Sequence, residues 1–287
     1  MSLNKFKEHG KFLMLALDHR GSFKKLMNPK DPDEVADQEV IDLKKEIIES
    51  LQDQFSGLLI DVEDGLPAYT NKQSFSSSKQ SFSSSKSKPF LLPLEKSGYK
   101  EEEGERITEL QRTVAELLSL GADGGKLLLY FNPSLKSAQK QLEIAKKALD
   151  DANAHGFTFF LEPVTYTKDG KTHTQDKELV LGTVKTLKEA GVKPDVFKIE
   201  YPGNIDGCME VTKILGDTPW ILLAYPDSFE KFKTHLDSAI KGGAQGFLAG
   251  RAIWQEACTL KGKEKEKFLK ETMPERFRQI VEITKKH

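Results

Sequence analysis

The chain has 287 residues, 30% of them charged, and a formal net charge of −1. That length suits one large α/β barrel around a single core. The near-neutral balance offers no basic face for nucleic acid or for an anionic membrane, and leaves small anions to be held by local groups. The two cysteines, Cys208 and Cys258, stand far apart and outside any metal-ligand spacing, a usage that fits a reducing, cytoplasmic compartment.

The first apolar run is "KFLMLALD" (11–18). It is too short for a membrane span or a signal core, and it reads as a strand. "DEVADQEVIDLKKEIIESLQDQ" follows, with Val35, Val40, Ile41, Ile47, Ile48 and Leu51 on one helical stripe. "GLLID" (57–61) is the second strand. The next segment, "KQSFSSSKQSFSSSKSK" (72–88), carries KQSFSSS twice. Rich in serine and poor in apolar groups, it is expected to be a flexible loop inserted between the second and third strands, a duplication tolerated at the surface rather than a lid or a phosphorylated segment.

"FLLPLE" (90–95) is the third strand, and "ERITELQRTVAELLSLGA" is predicted to be a helix with Ile107, Leu110, Val114, Leu117 and Leu118 inward, capped at Gly121. The remaining strands are "GKLLLYF" (125–131), "FTFFLEP" (157–163), "DVFKIE" (195–200), "WILLAY" (220–225) and "QGFLAG" (245–250), with helix-period segments between them. The strand runs are mostly continuous rather than alternating, as in parallel strands covered on both faces. Eight strands, all but the second followed by a clear helix, predict a single-domain (β/α)₈ TIM barrel over residues 1–287. No G-x-G-x-x-G follows the first strand, which argues against a doubly wound dinucleotide-binding sheet.

Barrels of this kind carry their chemistry at the carboxyl ends of the strands. Here those ends hold Asp18, His19 and Arg20, then Asp61 and Glu63, then Glu95 and Lys96. Lys126 lies on the fourth strand, Glu162 closes the fifth, Lys198 and Glu200 close the sixth, and Arg251 follows the eighth. Any one of them alone reads as a solvated loop charge or a structural ion pair; their convergence on one rim is what suggests chemistry. In "FKIE", Lys198 and Glu200 share one face of the strand and Phe197 and Ile199 the other. The helix-covered face takes the apolar pair, so Lys198 points into the barrel. The same parity groups Glu162 with Phe160, and Lys126 with Leu128 and Tyr130.

A partly desolvated lysine beside another cation becomes a nucleophile toward a carbonyl. The resulting iminium draws electrons from the adjacent C–C bond while a carboxylate moves the protons. A structural ion pair is the competing explanation for Lys198. Arg251, after Gly250 in "LAGRAIW", reads as an anion site made of a guanidinium and helix amides, where barrels often hold phosphate.

The stretches "LALDHRGSFKKLM", "LLIDVEDGLPA", "LEKSGY", "GADGGKLLLYF", "FFLEPVTY", "FKIEYPGN" and "GFLAGRAIW" run in order through nearly the whole chain. Together they resemble the class I tagatose 1,6-bisphosphate aldolases and their relatives that cleave sulfofructose phosphate. The resemblance implies Lys198 as the imine-forming lysine, Lys126 as the second lysine beside it and Glu162 as the acid/base carboxylate, with Asp18 in the catalytic group. It places Asp18, His19 and Arg20 on the family's D-Q-R triplet, with histidine in place of glutamine, and Gly250 and Arg251 on its phosphate-binding G-R. His19, Arg20, Asp61, Glu95, Gly250 and Arg251 are thus expected to contact substrate.

The activity implied is cleavage of a phosphorylated ketose, tagatose 1,6-bisphosphate before others, to dihydroxyacetone phosphate and an aldehyde, with no metal and no cofactor. Two readings compete: a Schiff-base aldolase for a sulfo-sugar phosphate or an inositol-derived keto acid phosphate, and a non-catalytic regulator that binds a sugar phosphate. The expected partner is a phosphorylated small sugar, not nucleic acid or membrane, and a homo-oligomer is left open. One departure stands out. Where the family usually has a short small-residue run after the seventh strand, this chain has Ala224-Tyr225-Pro226, and proline has no N–H to offer a phosphate.

Overall fold

The eight apolar runs become the parallel strands of a closed barrel in the computed structural model, which describes residues 3–70, 87–172, 174–224 and 228–286. A short β1 (Lys7–Glu8) runs antiparallel to β2 (Lys11–Leu17). There follow α1 (Gly21–Met27), α2 (Asp37–Leu51), β3 (Gly57–Ile60), α3 (Gly65–Thr70) and β4 (Phe90–Pro93). A hairpin, β5 (Lys100–Glu102) and β6 (Glu105–Ile107), precedes α4 (Val114–Ser119). Next come β7 (Gly124–Phe131), α5 (Ala138–Ala154), β8 (Thr158–Thr165), α6 (Lys177–Glu189), β9 (Val196–Ile199) and α7 (Ile205–Leu215). The chain ends with β10 (Trp220–Leu223), α8 (Phe229–Lys241), β11 (Gly246–Ala249), α9 (Arg251–Trp254), α10 (Gly262–Lys267) and α11 (Met273–Lys285). The barrel order is β2-β11-β10-β9-β8-β7-β4-β3, closed by β2 against β3, which is the (β/α)₈ TIM barrel expected from the sequence.

Alternate residues of the strands face two cores, and this is why the runs look continuously apolar. Phe12, Met14, Ala16, Leu59, Leu91, Phe160, Val196, Ile221 and Leu248 pack inside the barrel, where Phe6 also lies, edge-on to Phe160. Their neighbours along the strands, such as Leu13, Leu15, Leu58, Leu161 and Phe197, pack outward against the helices. Phe160 is in register with both Lys126 and Val196. With a side-chain period of two, Glu162 and Lys198 therefore stand in the layer above Phe160 and Val196, on the inner face.

β11 opens with Gly246 for a steric reason. At its φ of +143°, a Cβ would lie 2.0 Å from the carbonyl oxygen of Phe12 on the paired strand, so any side chain would wedge β2 and β11 apart.

The periodic stretch from Glu105 does not make one helix. Glu105–Ile107 is the second strand of the hairpin, and the helix starts only at Val114, behind a capping box between Thr113 and Glu116. Between them the chain is tied to the end of β4: Leu110 bridges Glu95, and the N–H groups of Gln111 and Arg112 donate to the Leu94 carbonyl. These pairings override a helical spacing that is correct for Val114 and Leu117 alone. Of the serine repeat, only Ser87 and Lys88 fall within the described residues.

Candidate active site

A cavity of about 360 Å³ opens at the carboxyl ends of the barrel strands. Asp18, His19, Arg20, Glu95, Lys126, Glu162, Lys198, Gly250 and Arg251 all line it. A wider groove of about 820 Å³ lies against α8 and α11, but among the described residues its lining holds no lysine.

The two lysines are held very unequally. Lys126 Nζ lies 2.5 Å from Glu95, 3.0 Å from Asp18 and 3.4 Å from Glu162. Burial works against its charge, but the three carboxylates outweigh it and keep the ammonium protonated well above the ordinary lysine range. Among the described residues, Lys198 Nζ contacts one carboxylate, Glu162, at 2.9 Å. Glu162 thus stands between the lysines, one oxygen toward each. All three side chains are nearly inaccessible, at 5% exposure or less. Burial tends to raise the Asp18 carboxyl, yet the ammonium of Lys126, with that of Lys198, pulls it well below the usual carboxylate range. Glu95 is raised by burial, against the opposing pull of Lys126. Its second oxygen accepts the Leu128 N–H at 3.1 Å, so both oxygens are engaged.

His19 stands edge-on to Trp254, with ring centroids 5.1 Å apart, and its Nδ1 is 3.8 Å from Asp18. Burial, with the cations Arg251, Lys198 and Lys44 around it, lowers its pKa to about 3 despite Asp18, so the ring is a neutral imidazole at physiological pH. Gly250 makes room for it, because a Cβ there would press to 3.3 Å from the imidazole. Arg20 donates to the Glu95 carbonyl and to Gln111, each at 3.2 Å. Arg251 follows Gly250 and lines the cavity, at the start of α9, a single four-residue turn. Ala224 lines the cavity, while Tyr225 and Pro226 lie outside the described residues.

Asp61 is the predicted site residue that the cavity excludes. Strand β3 ends at Ile60, and the turn into α3 carries Asp61 out toward the helix layer. There it is fully buried, ion-paired with Lys44 of α2, and accepts the Asp64 N–H at 2.7 Å. Lys44 sits on the otherwise apolar buried face of α2, 5.3 Å from the Phe23 ring, and nothing in the helical periodicity distinguished it. Glu200 is also diverted from the mouth, taking the Thr165 N–H and hydroxyl at 2.9 and 2.6 Å.

Removing one partner of a buried pair strands the other charge, at a cost of about 3–5 kcal/mol. Asp61→Ala is expected near the lower end, because Asp64 remains 3.8 Å from the Lys44 ammonium. Denaturant titration should show the loss, with KM unchanged in the folded protein; unchanged stability with a raised KM would return Asp61 to the site.

A parallel β/α barrel with a carboxylate between two inward lysines defines a barrel aldolase. Residues 12–256 match the DeoC/LacD family aldolase profile, and the chain belongs to that family. It is therefore a carbon–carbon lyase, and the non-catalytic reading falls away. Among curated relatives, the tagatose 1,6-diphosphate aldolase of Listeria monocytogenes serotype 4a is 27% identical, over 92% of this chain and 83% of that protein. That of Staphylococcus epidermidis RP62A is 27% identical, over 92% and 87%, and tagatose 1,6-diphosphate aldolase 1 of Enterococcus faecalis is 26% identical, over 84% and 79%. Among solved structures, an archaeal fructose 1,6-bisphosphate aldolase superposes with a TM-score of 0.67 at 20% identity, over 97% of this chain and 98% of that one. A Schiff base forming fructose-1,6-bisphosphate aldolase gives 0.63 at 21%, over 93% and 96%. These superpositions establish the barrel. Among the described residues, no helix is long and apolar enough to cross a membrane.

Proposed function

We propose that the chain is a class I, imine-forming aldolase that splits a phosphorylated ketose, tagatose 1,6-bisphosphate, into dihydroxyacetone phosphate and an aldehyde. The unequal grip on the two lysines carries this reading. Among the described residues, three carboxylates hold Lys126 as an ammonium, whereas Lys198 pairs with one, and that partner can accept and return a proton.

Lys198 Nζ attacks the C2 ketone, and loss of water leaves the iminium. Glu162 takes the proton of the C4 hydroxyl as the C3–C4 bond breaks. The electron pair of that bond moves into the iminium, giving an enamine, and the C4 carbon leaves as the aldehyde. Protonation of the enamine at C3 and addition of water release dihydroxyacetone phosphate and restore the amine. Lys126 stays charged throughout and stabilises negative charge forming at the substrate oxygens. The iminium is the electron sink, so the mechanism requires no metal.

The substrate follows from two supports. The curated relatives at 26–27% identity are named for tagatose 1,6-diphosphate. Arg251 supplies a cation at the rim next to the proposed imine strand but one, where the phosphate of the ketone-bearing half would lie. A cleavage screen over ketose phosphates, with detection of dihydroxyacetone phosphate, tests the reading; turnover of tagatose 1,6-bisphosphate at rates below those of another ketose phosphate would reassign the substrate.

A charge-assisted arginine contact contributes about 1.5–3 kcal/mol, or roughly ten- to over a hundredfold in affinity. Arg251→Ala should raise KM for phosphorylated ketoses by that order and leave unphosphorylated analogues nearly unaffected. Equal losses on both would make Arg251 a brace of the rim that binds no phosphate.

A further inference from the structure

Arg106 of β6 is enclosed by three tyrosines. Its guanidinium carbon lies 4.7 Å from the Tyr99 ring, 5.5 Å from Tyr130 and 5.1 Å from Tyr166, all within cation–π range. Tyr99 packs edge-on to Tyr130 at 5.0 Å, and Tyr130 edge-on to Tyr166 at 6.4 Å. The guanidinium donates to Thr172 Oγ1 at 2.7 Å and to the Gly170 carbonyl at 2.9 Å. Gln141 adds a tie, its amide donating to the carbonyls of Arg106 and Tyr130 at 2.8 and 2.7 Å. One arginine thereby fastens the β5–β6 hairpin to β7 and to the segment after β8.

Tyr130 is the member of this cage that faces the cavity, beside Ser97 and Gly98 at the foot of the hairpin. Burial, against the pull of Arg106 and Lys126, raises its phenol pKa, so the hydroxyl keeps its proton and remains a donor. Around the barrel the order is β11, β10, β9, β8, β7, β4. Arg251 follows β11, Lys198 is on β9, Glu162 on β8 and Tyr130 on β7. With the ketone carbon at Lys198 and its phosphate toward Arg251, the rest of the sugar must run the other way, over Glu162 toward Tyr130 and the hairpin.

We propose that Tyr130 contacts the aldehyde half of the ketose and sets specificity for it, and that Arg106 is the positioning residue that fixes Tyr130 and the hairpin there. The inference rests on the imine at Lys198 described above.

The condensation direction separates the two halves, because dihydroxyacetone phosphate and the aldehyde then have their own KM values. Loss of the cage in Arg106→Met should raise KM for glyceraldehyde 3-phosphate about tenfold and leave KM for dihydroxyacetone phosphate within about twofold. Arg106→Lys, which keeps the cation over the rings, should recover part of that loss. Borohydride with dihydroxyacetone phosphate alone should trap Arg106→Met as it traps the wild type. Tyr130→Leu should give the same one-sided rise, and it decides the matter if Arg106→Met does not fold. An unchanged aldehyde KM in Tyr130→Leu, or equal rises of both KM values in the folded variants, would overturn the proposal. A wild type that forms no adduct on Lys198 would instead remove the imine reading on which it rests.

Discussion

Lys198→Ala is expected to lower cleavage by at least about 10⁴-fold, since the covalent step then has no nucleophile. The neighbouring lysine offers no substitute. Glu95, Asp18 and Glu162 surround Lys126 within 3.4 Å, and their combined charge opposes loss of a proton from its amine. The same geometry predicts that the variant folds. Glu162 loses its contact to Lys198 but keeps Lys126, so no unpaired buried charge remains. Borohydride added with substrate should mark the peptide containing Lys198 in the wild type and nothing in the variant. An adduct on Lys126 would exchange the two roles, and inhibition of the wild type by a chelator would move the enzyme to metal-dependent chemistry.

Glu162→Gln is the second large effect. The amide keeps the shape of the side chain but cannot take a proton, and general acid/base groups typically contribute about 10²–10⁴-fold. kcat should fall by that order while imine trapping persists, because the nucleophile is still present. Lys126 retains Glu95 at 2.5 Å and Asp18 at 3.0 Å, and although Lys198 loses its carboxylate, the amide oxygen of glutamine can still accept from its amine. Near-normal turnover would pass the proton-transfer role to Asp18, whose carboxylate touches the same ammonium.

The two variants also separate readings that static geometry leaves together. A purely structural cluster would lose stability in both and would show no imine trapping even in the wild type. The proposed chemistry loses trapping only with Lys198 and keeps it without Glu162.

Much of this site was legible in the sequence because a strand alternates its faces regardless of what surrounds it. Phe197 and Ile199 identified the covered face of β9, and the inward direction of Lys198 followed. The same parity grouped Glu162 with Phe160 and Lys126 with Leu128 and Tyr130; Phe160 lines the barrel interior, and Leu127 and Leu129 pack on the helix-covered side. The helix predicted across residues 105–122 failed for the opposite reason. Helical spacing at Ile107, Leu110, Val114 and Leu117 is a local signal, and pairing of Leu110 with Glu95 competes with it from outside the segment.

The sequence by itself determined the eight barrel strands, their parallel sense and the inward face of Lys126, Glu162 and Lys198, since these depend on residues within one run. Only the tertiary structure decided the partners. Asp18 and Asp61 look alike, each a carboxylate ending an apolar strand, yet one meets Lys126 in the cavity and the other is drawn to Lys44 behind the barrel wall. Which lysine is clamped and which is held by one carboxylate depends on distances of 2.5–3.4 Å between residues on or just past five strands, β2, β4, β7, β8 and β9. Coulomb energy varies with separation and burial rather than with position in the sequence, so this division of roles exists only once the barrel has closed.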